Sequence, residues 1–125
     1  MSKNILVTGG SGFLGSHLVK HLSEQDNRVV ALVRDGVTTN WLIDAMRKCT
    51  VIRGDILETD LVQRILADYN IEEVYHLAAC AVLKSVIKDP LTTFKVNAYG
   101  AASVLEACRR VDKDIHIIVQ TTDEV

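Results

Sequence analysis

The chain has 125 residues, enough for one domain with a substantial core and too few for two. Its 48% apolar and 24% charged residues, with a net charge of −2 and no basic stripe, speak against nucleic-acid and membrane-surface partners. No apolar run reaches the length of a membrane span, and Cys49, Cys80 and Cys108 are too widely spaced for a metal cluster or disulfide framework, so free thiols in a cytoplasmic setting are expected.

Met1 to Asn4 lead directly into an apolar run, Ile5 to Val7, which leaves no room for a secretory leader. That run stops at Thr8-Gly9-Gly10-Ser11-Gly12, and an amphipathic stretch starts at Phe13. A buried strand, a glycine turn and a helix start form the context of a dinucleotide-binding fingerprint. Glycines let the backbone approach a pyrophosphate, and the free N–H groups at the helix start face its charge. Two registers fit: Gly10, Gly12 and Gly15, or Gly9, Gly12 and Gly15.

Leu14, Leu18, Val19 and Leu22 recur at helical spacing and predict a helix from Phe13 to about Ser23, with His17 and His21 at its surface. Arg28 to Val33 predicts a second strand, apolar from Val29 onward as a strand covered on both faces should be. At its end an acid selects NAD through the ribose hydroxyls, and a base accommodates the extra phosphate of NADP. Arg34 stands there and tips the expectation towards NADP, against the opposing charge of Asp35.

A short helix is expected over Asn40 to Lys48, with Trp41, Leu42, Ala45 and Met46 on one side, and a third strand over Thr50 to Arg53. Thr59 reads as the N-cap of a helix with Asp60 in its first turn and Leu61, Val62, Ile65, Leu66 and Tyr69 facing inward. Glu73 to Leu77 is a fourth strand. Pro90 opens a long helix to Val111 with Leu91, Phe94, Ala98, Ala101, Ala102 and Leu105 as its core face. Ile115 to Gln120 is a fifth strand. Alternating strands and helices predict an α/β doubly wound parallel sheet of the Rossmann type, in order 3-2-1-4-5.

These motifs resemble the extended short-chain dehydrogenases, the NAD(P)-dependent sugar-nucleotide epimerase/dehydratase group. Thr8 to Gly15 resembles its glycine motif and favours the Gly9, Gly12, Gly15 register, with Phe13 and Leu14 beside the cofactor. Gly54-Asp55-Ile56 resembles the segment whose aspartate meets the adenine amino group. His76-Leu77-Ala78-Ala79 resembles the fourth-strand motif beside the cofactor, and Asn97-Ala98-Tyr99-Gly100 the helix motif whose asparagine supports the active site. Ile118 to Val125 resembles the fifth strand and its catalytic turn.

The resemblance implies that Thr122 bonds the sugar hydroxyl at C4, where hydride leaves. Asp123-Glu124 is the pair found in the 4,6-dehydratases; Glu124 could take the C5 proton and Asp123 could protonate the departing C6 hydroxyl. The implied partner is a nucleotide sugar.

Two departures stand out. Four residues beyond Tyr69, Tyr75 and Tyr99 lie Glu73, Ala79 and Ser103, so the family's Tyr-x-x-x-Lys pair is missing. The segment after the fourth strand, Cys80 to Ser85, is mostly apolar, with Lys84 as the one sugar or phosphate candidate. The expectation is a dinucleotide-binding domain over residues 1–125, incomplete before a sixth strand and substrate domain, and inactive alone. The alternatives are a non-catalytic dinucleotide-binding module or redox sensor, or an inactive fragment of the enzyme. An uncovered fifth strand would invite self-association.

Overall fold

The structure is a computed structural model that describes residues 2–10, 12–34, 43–44, 47–78 and 87–120. The apolar runs form five parallel strands, β1 (Asn4–Thr8), β2 (Arg28–Val33), β3 (Thr50–Arg53), β4 (Glu73–His76) and β5 (His116–Val119). Their order is β3-β2-β1-β4-β5, as the sequence predicts. β1 and β2 lie inside the sheet and are covered on both faces, which is why neither alternates with polar residues.

The pleat sends alternate side chains to opposite cores. Ile5, Val7, Ala31 and Val33 meet Val19 and Leu22 of α1 (Phe13–Glu24) on one face. Leu6, Leu32 and Val74 meet the opposite layer, made by α2 (Thr59–Asp68) and a broken helix. That broken helix comprises α3 (Pro90–Phe94), a π-helical turn (Lys95–Tyr99) and α4 (Gly100–Arg110). Asp89 caps α3 by accepting from the Thr92 N–H at 3.2 Å, and Pro90 fills the first turn, where no N–H is needed.

The break corrects the expected core face. Leu91, Phe94 and Leu105 are 77%, 70% and 45% exposed, and Ala98 and Ala102 are exposed too. The buried stripe is Gly100, Ser103, Val104, Ala107 and Cys108, which packs on α2. For Ala102 and Leu105, which follow it, a wider turn bears on this: the Gly100 N–H bonds the Lys95 carbonyl five residues back. One residue added to a turn rotates everything after it by about 100°.

Smaller corrections have local reasons. Glu58, not Thr59, occupies the cap position of α2, and the Thr59 hydroxyl is instead 2.7 Å from Ser103 Oγ on α4. Tyr69 ends that helix 41% exposed, because Ile71 takes the buried place through an N–H bond to the Leu66 carbonyl. Leu14 is half exposed, and Gly15 and Ser16 take its inward place on α1. Of the helix expected over Asn40 to Lys48, Ile43 and Asp44 are helical; Trp41, Leu42, Ala45 and Met46 lie outside the described residues.

Candidate functional site

The glycine turn leaves β1 at the C-terminal edge of the sheet. Gly9 has φ +75°, a conformation that favours glycine, and a Cβ there would stand 2.9 Å from the Ala78 nitrogen and the Leu77 carbonyl carbon. The Gly12 N–H then bonds the Gly9 carbonyl at 3.1 Å and closes the turn. Gly12 caps α1 without a side-chain bond, and no acid sits in the first turn. The start of α1 therefore keeps its positive end for a ligand.

Gly15 has another task. A Cβ on it would overlap the Gly9 carbonyl, so the turn and α1 come together only because both residues are glycines. This closeness favours the register Gly9, Gly12, Gly15. Thr8 is the hinge between turn and sheet: its Oγ1 lies 3.1 Å from both the Leu77 and Ala78 nitrogens and 2.7 Å from His76 Nδ1.

Beside the turn is a cavity of about 500 Å³, within the usual range for small-molecule sites. Gly9, Gly12, Leu77 and Ala78 form its inner wall, and Arg34 is exposed at the end of β2. Asp55 and Ile56 form another wall after β3. Asp55 is held in place because its Oδ1 accepts from the Leu57 N–H at 2.9 Å and its carbonyl from the Glu58 N–H at 3.0 Å. Ile56 is buried under α4, with its Cδ1 against Gly100.

Phe13 and Leu14 are exposed on the first turn of α1 and do not line this cavity; the Phe13 ring lies 4.6 Å from that of His17. Asn97 is exposed on the π-helical turn, also off the lining. Asp35, Ala79, Thr122, Asp123 and Glu124 lie outside the described residues. The structure adds Thr92, Lys95 and Val96 to the cavity. Nothing in the sequence marked them, because the expected apolar face ran through Leu91, Phe94 and Leu105 instead.

Titration behaviour separates wall from chemistry. Burial pulls the His76 imidazole below its ordinary pKa, which favours the neutral ring. Tyr75 donates to Glu73 at 2.7 Å, which pushes the phenol up, the reverse of what a tyrosine base needs. Burial raises the Cys49 thiol, and pushes Cys108 up to about 11, so neither is a thiolate nucleophile at neutral pH. Among the described residues no three histidine, cysteine or acidic side chains gather to hold a metal. No helix among them is long and apolar enough to cross a membrane.

A parallel sheet in this order, with a glycine turn entering an uncapped helix, defines a dinucleotide-binding α/β domain of the Rossmann type. The chain belongs to the family described as GDP-mannose 4,6 dehydratase, whose model matches residues 6–125. It is 32% identical over 126 residues to CDP-paratose 2-epimerase of Salmonella typhi, covering 97% of this chain and 37% of that protein. It is 38% identical over 103 residues to UDP-glucose 4-epimerase of Lactobacillus helveticus, covering 82% and 31%. The crystal structure of UDP-glucose 4-epimerase from Brucella ovis in complex with NAD superposes with a TM-score of 0.76 at 33% identity, covering 86% of this chain and 32% of that one. The chain thus spans about a third of the length of these relatives.

Proposed function

We propose that residues 1–125 form the cofactor-binding part of an NAD(P)-dependent enzyme that acts on a nucleotide sugar. The observation that carries this reading is the uncapped start of α1 opening, through Gly9 and Gly12, onto a cavity that also holds Arg34 and Asp55. The donor set fits a dinucleotide: N–H groups for the pyrophosphate, a fixed carboxylate at Asp55 for the adenine amino group, and apolar Ile56 and Val96 for the ring. The family and the NAD complex of the Brucella ovis relative support it. Arg34 supports NADP over NAD, since an arginine at this strand end can pair with the 2′-phosphate.

The bound nicotinamide would supply hydride acceptance and return. In the whole enzyme, Thr122 would hold the C4 hydroxyl, Glu124 would take the C5 proton and Asp123 would protonate the C6 hydroxyl as it departs. That assignment favours dehydration over epimerisation, and it rests on the Asp123-Glu124 pair. Residues 1–125 hold no Tyr-x-x-x-Lys, so by themselves they would bind a dinucleotide without turning over substrate. A cytoplasmic setting fits the separated cysteines. Self-association would use the outer edge of β5, where Ile118 and Val119 are each 38% exposed; a strictly monomeric elution in size-exclusion chromatography would rule that out.

Calorimetric titration with NAD and NADP tests the central claim. Saturable binding of either is expected, and binding of neither would end both the catalytic and the binding-module readings for this chain.

A further inference from the structure

Thr8 and His76 are paired residues at the ends of β1 and β4, beside the glycine turn, and both are buried. Three groups converge on Thr8 Oγ1: the Leu77 and Ala78 N–H groups at 3.1 Å each, and His76 Nδ1 at 2.7 Å. A hydroxyl has one proton and two lone pairs. A backbone N–H can only donate, so the Ala78 N–H takes one lone pair, and the Leu77 N–H, which is shared between Oγ1 and the Thr8 carbonyl at 3.3 Å, takes the other. All three contacts are kept together when the hydroxyl proton goes to Nδ1 as its acceptor. An imidazole that accepts at Nδ1 is neutral and carries its proton on Nε2.

We infer that His76 is a positioning residue, fixed by Thr8 as the neutral Nε2–H tautomer, whose Nδ1 orients the Thr8 hydroxyl so that its lone pairs hold the Leu77–Ala78 backbone against the glycine turn. The orientation matters because Gly9 packs directly on that backbone, 2.9 Å from where its own Cβ would be. Without the Nδ1 acceptor, the hydroxyl proton would have no fixed direction. One lone pair could then swing away from an N–H in the cavity wall. Burial of the ring acts in the same sense, since it disfavours the charged form that would put a proton on Nδ1.

The link to the cavity rests on the dinucleotide reading; the tautomer does not. Long-range ¹⁵N–¹H correlation spectra of the whole chain at neutral pH should show His76 protonated at Nε2 alone. A proton on Nδ1, in either the other tautomer or the imidazolium, would overturn the inference. Thr8→Val keeps the shape and removes the hydroxyl; Thr8→Ser restores it. Thr8→Val should lose the fixed tautomer and weaken dinucleotide binding about tenfold, the equivalent of one ordinary hydrogen bond, and Thr8→Ser should recover both. If Thr8→Val does not fold, Thr8→Ser decides: a changed tautomer there would count against the hydroxyl as its cause. Failure of the unaltered chain to bind NAD or NADP would sink the cofactor reading instead, and the tautomer spectrum alone would then judge this inference.

Discussion

Replacing Gly15 by alanine should damage the fold, whereas the same change at Gly12 should damage binding. A Cβ on Gly15 overlaps the Gly9 carbonyl oxygen and lies 2.7 Å from its carbon and 3.1 Å from Gly10 Cα. All are backbone atoms, so no change of rotamer relieves the clash; α1 or the turn must move. Overpacking of this kind costs about 1–3 kcal/mol. The better helix propensity of alanine offsets up to about 1 kcal/mol of that. A net loss of about 1–2 kcal/mol corresponds to roughly 4–8 °C in melting temperature for a domain of this size. At Gly12 the nearest atom to an added Cβ is the Gly9 oxygen at 3.5 Å, and φ −77°, ψ 173° suits any residue. Gly12→Ala should therefore lose less than about 1 kcal/mol, mostly as a poorer cap, while its methyl stands where a pyrophosphate would approach. Circular-dichroism melts and dinucleotide calorimetry on both variants separate the effects. A Gly15→Ala melting point unchanged within about 1 °C, or equal losses in both variants, would refute the close-approach argument.

Ala107 and Ala102 test the turned face of α4. Ala107→Leu should cost about 1–3 kcal/mol against α2, and exposed Ala102→Leu should stay within about 0.5 kcal/mol; equal effects by urea unfolding would mean the helix is not rotated as described. Because His76 is held below its ordinary value of 6.5 by burial alone, the unfolded chain binds more protons in the mildly acid range. Its contribution should be complete above pH 6.5 and be lost as the pH falls through the folded value; unfolding midpoints that stay level or rise between about pH 6.5 and about pH 5 would contradict this. Arg34→Ala should weaken NADP and spare NAD in calorimetry, and an equal loss for both would show that Arg34 does not read the 2′-phosphate. Incubated with nucleotide sugars and cofactor, the unaltered chain should form no 4-keto product, for want of Tyr-x-x-x-Lys; measurable dehydration would overturn that argument.

What the sequence made legible follows from how each signal arises. β1 and β2 were readable because strands covered on both faces must be apolar throughout, and glycines at 9, 12 and 15 fit one turn geometry. Gly9, Gly12, Arg34, Asp55, Ile56, Leu77 and Ala78 do meet at one cavity. The helix after Pro90 misled because it carries two regular stripes. Leu91, Phe94 and Leu105 are the larger and more apolar, but close packing on α2 selects small residues such as Gly100, Ser103 and Ala107. Periodicity weighs apolarity and is blind to how near two helices come. Nor does composition announce a π-helical turn. Thr92, Lys95 and Val96 stayed hidden because the expected apolar face ran through Leu91, Phe94 and Leu105.

That turn has a further consequence for how the molecule can change. It lets the two halves of one continuous helix answer to different demands: the part before Gly100 is oriented by the cavity, and the part after it by α2. Substitutions at Thr92 or Lys95 can reshape what the cavity accepts without disturbing the seam at Val104 and Ala107. Closing this turn to an ordinary α-helical one with every residue retained would remove that independence. The helix would straighten, and restoring the α4 seam would then swing Lys95 and Val96 about 100° away from the site they now line.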